Sequence, residues 1–171
     1  ASLRLVRYQP YQGVGLTTAG TRVALEVLRH HRLIELYLKE VLGYSWDKVH
    51  AEAEQLEHVI SEELEERIDK ALGYPTLDPH GHPIPRKDGT VMDEQLPSLW
   101  EVKELTSVIV ARVDDRDASV LRYLGTLGIH PATRIRVLEK APFNGPVLIQ
   151  IDGLQHSLSE ELARQILVRV Q

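Results

Sequence analysis

The 171-residue sequence carries 20 basic and 25 acidic side chains, and its formal net charge of −5 gives no overall electrostatic case for nucleic-acid binding. A hydrophobic share of 43% and a charged share of 26% are typical of a soluble globular protein with one ordinary domain or two small ones. The sequence contains no cysteine, which excludes disulfides and thiolate metal sites, so any metal must take nitrogen and oxygen ligands.

Two β-prone runs and two helical patterns occupy the first half of the chain. Residues 3–8 and 14–16 flank a Pro/Gly turn, which predicts a hairpin. Periodicity then predicts one helix over 17–42 and a second, continuous helix over 45–72, each followed by glycine. No run has the apolar length of a membrane helix and no signal peptide is recognisable, so we expect a cytoplasmic protein with no membrane partner.

The second half of the chain has mostly β character. Residues 74–96 are rich in Pro, Gly and His and predict a loop, in which His80 and His82 are expected to have a structural role. Short strand-like runs follow, interrupted by one helical pattern and a short helical turn; in chain order these elements cover 107–113, 118–127, 134–138, 147–151, 154–158, 160–165 and 166–170. Asp152-Gly153 predicts a tight hairpin turn between two of the strands. The pattern favours a small barrel after a helical region, which is an α+β fold.

The two predicted helices carry side chains that could hold a metal. His50, Glu54 and His58 follow one another at a spacing of four in the second helix, and Glu57 lies on the same face. In the first helix His31 and Glu35 are also four apart. Antiparallel packing of the helices would bring these imidazoles and carboxylates together, as a divalent transition-metal site requires. The alternative interpretation is a solvated polar stripe without a ligand.

Three stretches of the sequence resemble one known family. They are Arg-His-His-Arg-Leu-Ile-Glu at 29–35, Val-His-Ala-Glu-Ala running into Leu-Glu-His at 49–58, and Asp-Pro-His-Gly-His-Pro-Ile-Pro at 78–85. In this order they are similar to the diphtheria toxin repressor / manganese transport regulator family of metal-activated transcriptional repressors. The resemblance covers the whole chain. It implies a helical metal-binding and dimerisation domain over 17–85, a linker over 86–104 and an SH3-like, FeoA-type β-barrel over 105–171.

The resemblance also implies partners. In this family a helix-turn-helix with a β-hairpin wing comes first, so residues 1–16 are expected to be a remnant of the wing. The two long helices form much of a homodimer interface in the family, and operator DNA is bound only by the full-length protein. We therefore expect a homodimer that does not bind operator DNA specifically.

Two neighbouring metal sites follow from matching the family motifs. His31, Glu35 and His50 correspond to one site, and Glu54, Glu57 and His58 correspond to the other. Some relatives add a carboxylate to the first site from near Asp117; Asp114 and Asp115 compete for this role, and a plain helix cap is the alternative for each. Arg32 either helps to hold an anion near the first site or pairs with a carboxylate.

The expected metal is Mn²⁺, with Fe²⁺ as its competitor and Co²⁺, Cd²⁺ or Zn²⁺ as ions that could bind in vitro. Iron-type relatives commonly have Cys where this sequence has Glu54, whereas manganese-type relatives have a carboxylate. Mn²⁺ lies at the weak end of the divalent affinity order and favours hard oxygen ligands. Glu54 therefore indicates manganese.

Two enzyme classes with similar ligands are excluded. A di-iron oxidase needs repeated Glu-x-x-His motifs, and the residue three before His58 is Gln55. A zinc protease needs His-Glu-x-x-His on one helix, and no such string occurs. We therefore expect no enzymatic activity. The remaining alternative is a metal-independent dimerisation and protein-interaction module.

Overall fold

A computed structural model of the protein describes residues 4–9, 11 and 13–171. The chain forms two compact units. The first unit contains the described residues up to Gly43, together with Val49–Asp78 and Pro83–Met92. The second unit contains Tyr44–Lys48, Pro79–His82 and Asp93–Gln171. Among the described residues, no helix is long and apolar enough to cross a membrane.

The first unit has a hairpin followed by three helices. Its elements are β1 (Val6–Gln9), β2 (Gly13–Leu16), α1 (Thr18–Glu40), α2 (Val49–Leu56) and α3 (Glu62–Ala71). The hairpin strands are antiparallel. The hairpin and the first long helix confirm the sequence prediction over the described residues; residues 1–3, 10 and 12 of the predicted hairpin region lie outside them.

The hairpin is fastened to the start of α1. Thr17 caps the helix by accepting a hydrogen bond from the Gly20 N–H at 3.1 Å. The Thr17 N–H donates to the Leu5 carbonyl at 2.9 Å, and the Thr17 hydroxyl donates to the Arg4 carbonyl at 2.9 Å. A Cβ atom at Gly20 would lie 1.9 Å from the Leu5 carbonyl oxygen. Only glycine lets the backbone of the hairpin approach the helix this closely.

The prediction of one continuous helix over 45–72 is wrong. Helix α2 ends at Leu56, and α3 begins after a turn. Ser61 restarts the helix because its hydroxyl accepts the Leu64 N–H at 3.2 Å, which is an N-cap. Glutamates in the first turn of α3 stabilise its N-terminus through the helix dipole. Glu57 and His58 therefore lie in a turn and not on the face of a helix.

Two small apolar clusters hold the helices of the first unit together. One joins α1 to α2, and the other joins α1 to α3 and the following loop. The clusters consist of Ile34, Leu38, Val49 and Ala53, and of Leu33, Ile68 and Ile84. Each buried leucine, isoleucine or valine of these clusters contributes about 1.5–3 kcal/mol relative to an exposed one. This packing fixes the polar side chains that α1 and α2 carry beside the same contact.

The second unit is an antiparallel sheet with two short helices. Its strands are β3 (Ser107–Val113), β4 (Arg134–Lys140), β5 (Val147–Ile151), β6 (Leu154–Leu158) and β7 (Ile166–Val170). Helix α4 (Ala118–Thr126) follows β3, and α5 (Glu160–Arg164) precedes β7. The order of the strands is β6-β5-β4-β3-β7.

The α+β class is confirmed, but the sheet is open and not a closed barrel. Over the described part of the chain, β6 and β7 do not pair with each other. The outer side of β7 instead exchanges hydrogen bonds with residues 97–99: the Leu99 N–H donates to Ile166 and the Val168 N–H to Pro97. This coverage protects an edge that would otherwise expose backbone groups.

The turn between β5 and β6 has the conformation that its residues predict. Asp152 and Gly153 both have positive φ angles, 48° and 86°, as a two-residue hairpin turn of type I′ requires. The alternation of buried and exposed side chains along β5 places its odd-numbered residues in the core of the sheet domain. The predicted strands and the predicted helix over 118–127 are confirmed with small shifts of their ends.

Candidate metal centre

The packing of α1 against α2 brings three of the expected ligands together. His31 Nε2 lies 3.0 Å from Glu35 Oε1 and 3.0 Å from His50 Nδ1. His50 Nδ1 lies 3.2 Å from the same carboxylate oxygen. One ligand atom from each residue lies within 4.8 Å of the other two. His31, Glu35 and His50 are called the inner cluster below.

Glu57 connects the inner cluster to the second group of expected ligands. The His31 Nδ1–H donates to Glu57 Oε2 at 2.6 Å, so both ring nitrogens of His31 have partners. The other carboxylate oxygen of Glu57 lies 3.1 Å from His58 Nε2. Glu54 is on the far side of His50, with Oε1 3.7 Å from His50 Nε2. Glu57 therefore contacts a histidine of each group.

The second group is more open than the first. The side chains of Glu54 and His58 are 64% and 66% exposed, whereas that of Glu35 is completely buried. Within the part of the chain that the structure describes, ligand atoms of Glu54, Glu57 and His58 do not all lie within 4.8 Å of one another. The inner cluster is thus the assembled part of the candidate centre.

The electrostatics of the inner cluster favour a cation. Burial by itself lowers the pKa of the His31 imidazole, but the hydrogen bonds and negative charges of Glu35 and Glu57 outweigh burial and raise it to about 9. The same carboxylates that hold a proton on His31 attract a metal ion, which would take the place of that proton. Two imidazoles and hard carboxylate oxygens fit Mn²⁺, Fe²⁺ or Zn²⁺ better than a soft ion such as Cu⁺.

The residues expected at the margin of the site have other contacts. Asp117 is the N-cap of α4 in the second unit and accepts hydrogen bonds from the backbone and hydroxyl of Ser119 at 2.8 and 2.6 Å. These bonds lower the pKa of its carboxyl group. Arg32 lies 3.7 Å from the Asp78 carboxylate and donates to the Pro83 carbonyl. Of the two roles considered for Arg32, the structure shows the pairing with a carboxylate.

A second group of metal-ligand side chains lies within the second unit. His80 is fully buried, and His80 Nδ1 and His82 Nδ1 lie 3.8 and 3.5 Å from Asp115 Oδ2. The other nitrogen of His80 donates to the Trp46 carbonyl at 2.8 Å. The ring of Trp46 stacks on His80 with 5.7 Å between centroids. The three residues belong to a group that could hold an ion.

Gly81 allows this loop to approach the backbone of β3 closely. Its φ angle is 90°, and a Cβ atom there would lie 2.0 Å from the Ala111 carbonyl oxygen. The His80 carbonyl accepts the Val113 N–H at 2.9 Å. The His-Gly-His motif is visible in the sequence. The approach of His82 to Asp115, 33 positions later, could not be predicted from it.

The geometry and the comparisons with known proteins agree on the class. The α+β fold carries a group of side chains, the inner cluster, that could hold a metal ion. A family described as "Iron dependent repressor, metal binding and dimerisation domain" matches residues 17–86, and the FeoA domain matches residues 98–170. The "Iron-dependent repressor IdeR" of Mycobacterium leprae is 35% identical over 178 residues, with 96% of this chain and 76% of the relative covered. The chain belongs to the diphtheria toxin repressor family.

Solved structures give the same result. A "Manganese-dependent transcriptional repressor complex with manganese" is 42% identical, with a TM-score of 0.90 over 98% of this chain and 78% of that chain. The structure titled "Crystal Structure of ScaR with bound Cd2+" is 36% identical, with a TM-score of 0.81 over 97% of this chain and 78% of that chain. The "Diphtheria toxin repressor" of Corynebacterium efficiens is 29% identical, with coverage of 96% and 74%. The relatives are named as repressors and not as enzymes.

Proposed function

We propose that this chain is the metal-sensing and dimerising part of a Mn²⁺-responsive transcriptional repressor. The observation that carries the proposal is the inner cluster, in which the fully buried Glu35 carboxylate faces two imidazoles. A buried carboxylate is costly unless a cation compensates it. The relatives named as iron- or manganese-dependent repressors support the regulatory role.

Metal binding can control the arrangement of α1 and α2 through thermodynamic linkage. A metal ion shifts an equilibrium only if it binds one arrangement more tightly than the other. His31 and Glu35 lie on α1, and His50 and Glu54 lie on α2. A metal held by both helices stabilises one relative placement of them. Because α1 also carries the hairpin, this placement sets the direction in which the hairpin points.

Isothermal titration of the protein with Mn²⁺ tests the proposal. We expect saturable binding in the micromolar range or tighter, with Fe²⁺ competing under anaerobic conditions and Co²⁺, Cd²⁺ or Zn²⁺ also binding in vitro. The absence of binding at micromolar Mn²⁺ would favour the alternative, a metal-independent dimerisation and protein-interaction module.

The preference among metals is expected to depend on Glu54. Replacing it with cysteine exchanges a hard oxygen for a soft thiolate, so Glu54→Cys is expected to raise the ratio of Co²⁺ affinity to Mn²⁺ affinity by at least about tenfold. Competitive titration of both metals measures the ratio. Glu52→Cys places a thiol on the same helix outside the expected ligands and is the control. An unchanged ratio in Glu54→Cys would remove the main support for manganese.

A homodimer is the expected assembly. The helices of the first unit and the turn between α2 and α3 leave large apolar side chains exposed, among them Val23, Leu56, Val59 and Leu64. A small domain cannot cover such a surface by itself. Light scattering should therefore give the mass of a dimer at roughly 10 μM, a concentration at which an obligate interface persists.

A pair of variants refines this prediction. Leu56→Asp puts a charge on the exposed end of α2 and is expected to increase the monomer fraction. Phe143→Asp changes a completely exposed apolar residue of the second unit and serves as its control. A monomer at tens of micromolar for the unsubstituted protein would contradict the proposed dimer.

A further inference from the structure

His30 is buried beside the candidate metal centre. It neighbours His31 on α1, and its residue exposure is 7%. Its Nδ1 lies 3.0 Å from the backbone carbonyl oxygen of Glu57, and its Nε2 lies 3.3 Å from Glu65 Oε2. Because a carbonyl oxygen can only accept, Nδ1 carries a hydrogen and donates it to Glu57.

The carbonyl of Glu57 needs this donor because the helix is interrupted. In an uninterrupted helix it would accept the N–H of Ser61, four residues later. Here α2 ends at Leu56, and Ser61 has extended backbone angles as the cap of α3. Carbonyl groups at the end of a helix must find other partners. The imidazole of His30 takes the place of the missing backbone donor.

The other side of the His30 ring faces a network of buried charged side chains. Glu65 is buried and accepts a hydrogen bond from Arg29 Nε at 2.6 Å. Arg29 also donates to Asp69 at 2.6 Å and to the Pro85 carbonyl at 2.8 Å. The planar guanidinium thereby ties α1 to α3 and to the loop that follows α3. The ring of His30 lies between this network and the turn that carries Glu57 and His58, with Nε2 3.3 Å from Glu65 Oε2 and Nδ1 bonded to the Glu57 carbonyl.

We propose that His30 is a positioning residue of the metal centre. It fixes the backbone of Glu57, while its neighbour His31 fixes the side chain of the same residue at 2.6 Å. Together the two histidines set the direction of the Glu57 carboxylate before a metal arrives. This inference rests on the proposed metal-sensing function. Partners of this kind, which orient a ligand without contacting the metal, typically change affinity by about 10–100-fold when they are removed.

Two amide variants of similar polarity test this role. The amide nitrogen of asparagine occupies nearly the position of Nδ1, whereas that of glutamine lies nearer to Nε2. We expect His30→Gln to weaken Mn²⁺ binding about tenfold and His30→Asn to remain within about threefold of the unsubstituted protein. The electron paramagnetic resonance signal of free Mn²⁺ gives the affinities. His156→Asn, on β6, is the control and is expected to bind Mn²⁺ unchanged.

The possible results separate the inference from the function it rests on. If the unsubstituted protein binds Mn²⁺ and the two His30 variants have equal affinities, the positioning role is overturned and the proposed function stands. If the unsubstituted protein binds no Mn²⁺, the proposed function fails and the inference fails with it. A general structural role would make affinity follow the metal-free melting temperature. Weaker binding by His30→Gln at a melting temperature equal to that of His30→Asn supports positioning.

Discussion

Replacing both His31 and His50 with alanine is expected to remove most of the stabilisation that Mn²⁺ gives to the fold. A ligand that binds only the folded state at 100 times its dissociation constant stabilises that state by about 2.7 kcal/mol. The double variant loses both imidazoles of the inner cluster and leaves Glu35 as its only ligand. We expect less than about 0.5 kcal/mol of metal-dependent stabilisation to remain under the same conditions. Thermal melting with and without Mn²⁺ measures both values.

The comparison must be made on the metal-dependent shift and not on the melting temperature itself. The double substitution removes both imidazoles that face the buried Glu35 carboxylate, which changes the stability of the metal-free protein as well. His156→Ala, in the second unit, is the control and should keep the full shift. A full shift in the double variant would move the metal to another site, for which His80, His82 and Asp115 are the alternative.

The affinity for Mn²⁺ is expected to rise steeply with pH. With a pKa of about 9, His31 is protonated in the metal-free protein near neutrality. A metal must displace this proton, so the apparent affinity should rise about tenfold per pH unit, or roughly 100-fold between pH 6 and pH 8. Titration calorimetry in buffers of different ionisation enthalpy should also show the release of about one proton per inner cluster at pH 7.5.

The stability of the metal-free protein should change with pH in the opposite direction. The pKa of His31 is raised above its unfolded value of 6.5 to about 9, so its contribution to folding is fully present below about pH 6.5. That contribution is lost as the pH rises through about 9. Denaturant unfolding without metal at pH 6.5 and pH 9 measures it. His31→Gln should flatten both pH dependences, and a pH-independent Mn²⁺ affinity of the unsubstituted protein would contradict the account.

Local patterns in the sequence were enough to predict much of the fold. The Asp152-Gly153 hairpin turn and the alternating strand residues each depend on neighbours in the chain. The spacing of His31 and Glu35 gave one half of the inner cluster because residues four apart in a helix meet. His50 could be added only through the assumption that the two helices pack together.

The features of the fold that the sequence did not predict depend on contacts between residues far apart in the chain. The polar residues around Ser61 are good helix formers, which favours one continuous helix, but Ser61 can also begin a new helix as its N-cap. Packing decides between these two structures. The burial of His30 depends on Glu65, 35 positions later. The openness of the sheet depends on residues 97–99 lying along β7 and forming hydrogen bonds with it. None of these pairings has a periodic signature.

Because the hairpin is attached closely to the start of α1, a tilt of this helix moves the hairpin with it. His31 is 14 residues after Thr17, which corresponds to roughly 20 Å of helix at about 1.5 Å per residue. Thr17 and the close contact at Gly20 prevent the hairpin from swivelling on the end of the helix. A tilt of about 5° around the metal-binding end would carry the hairpin through roughly 2 Å, given that helical rise. A small change of ligand geometry is thus converted into a displacement comparable to the length of a hydrogen bond.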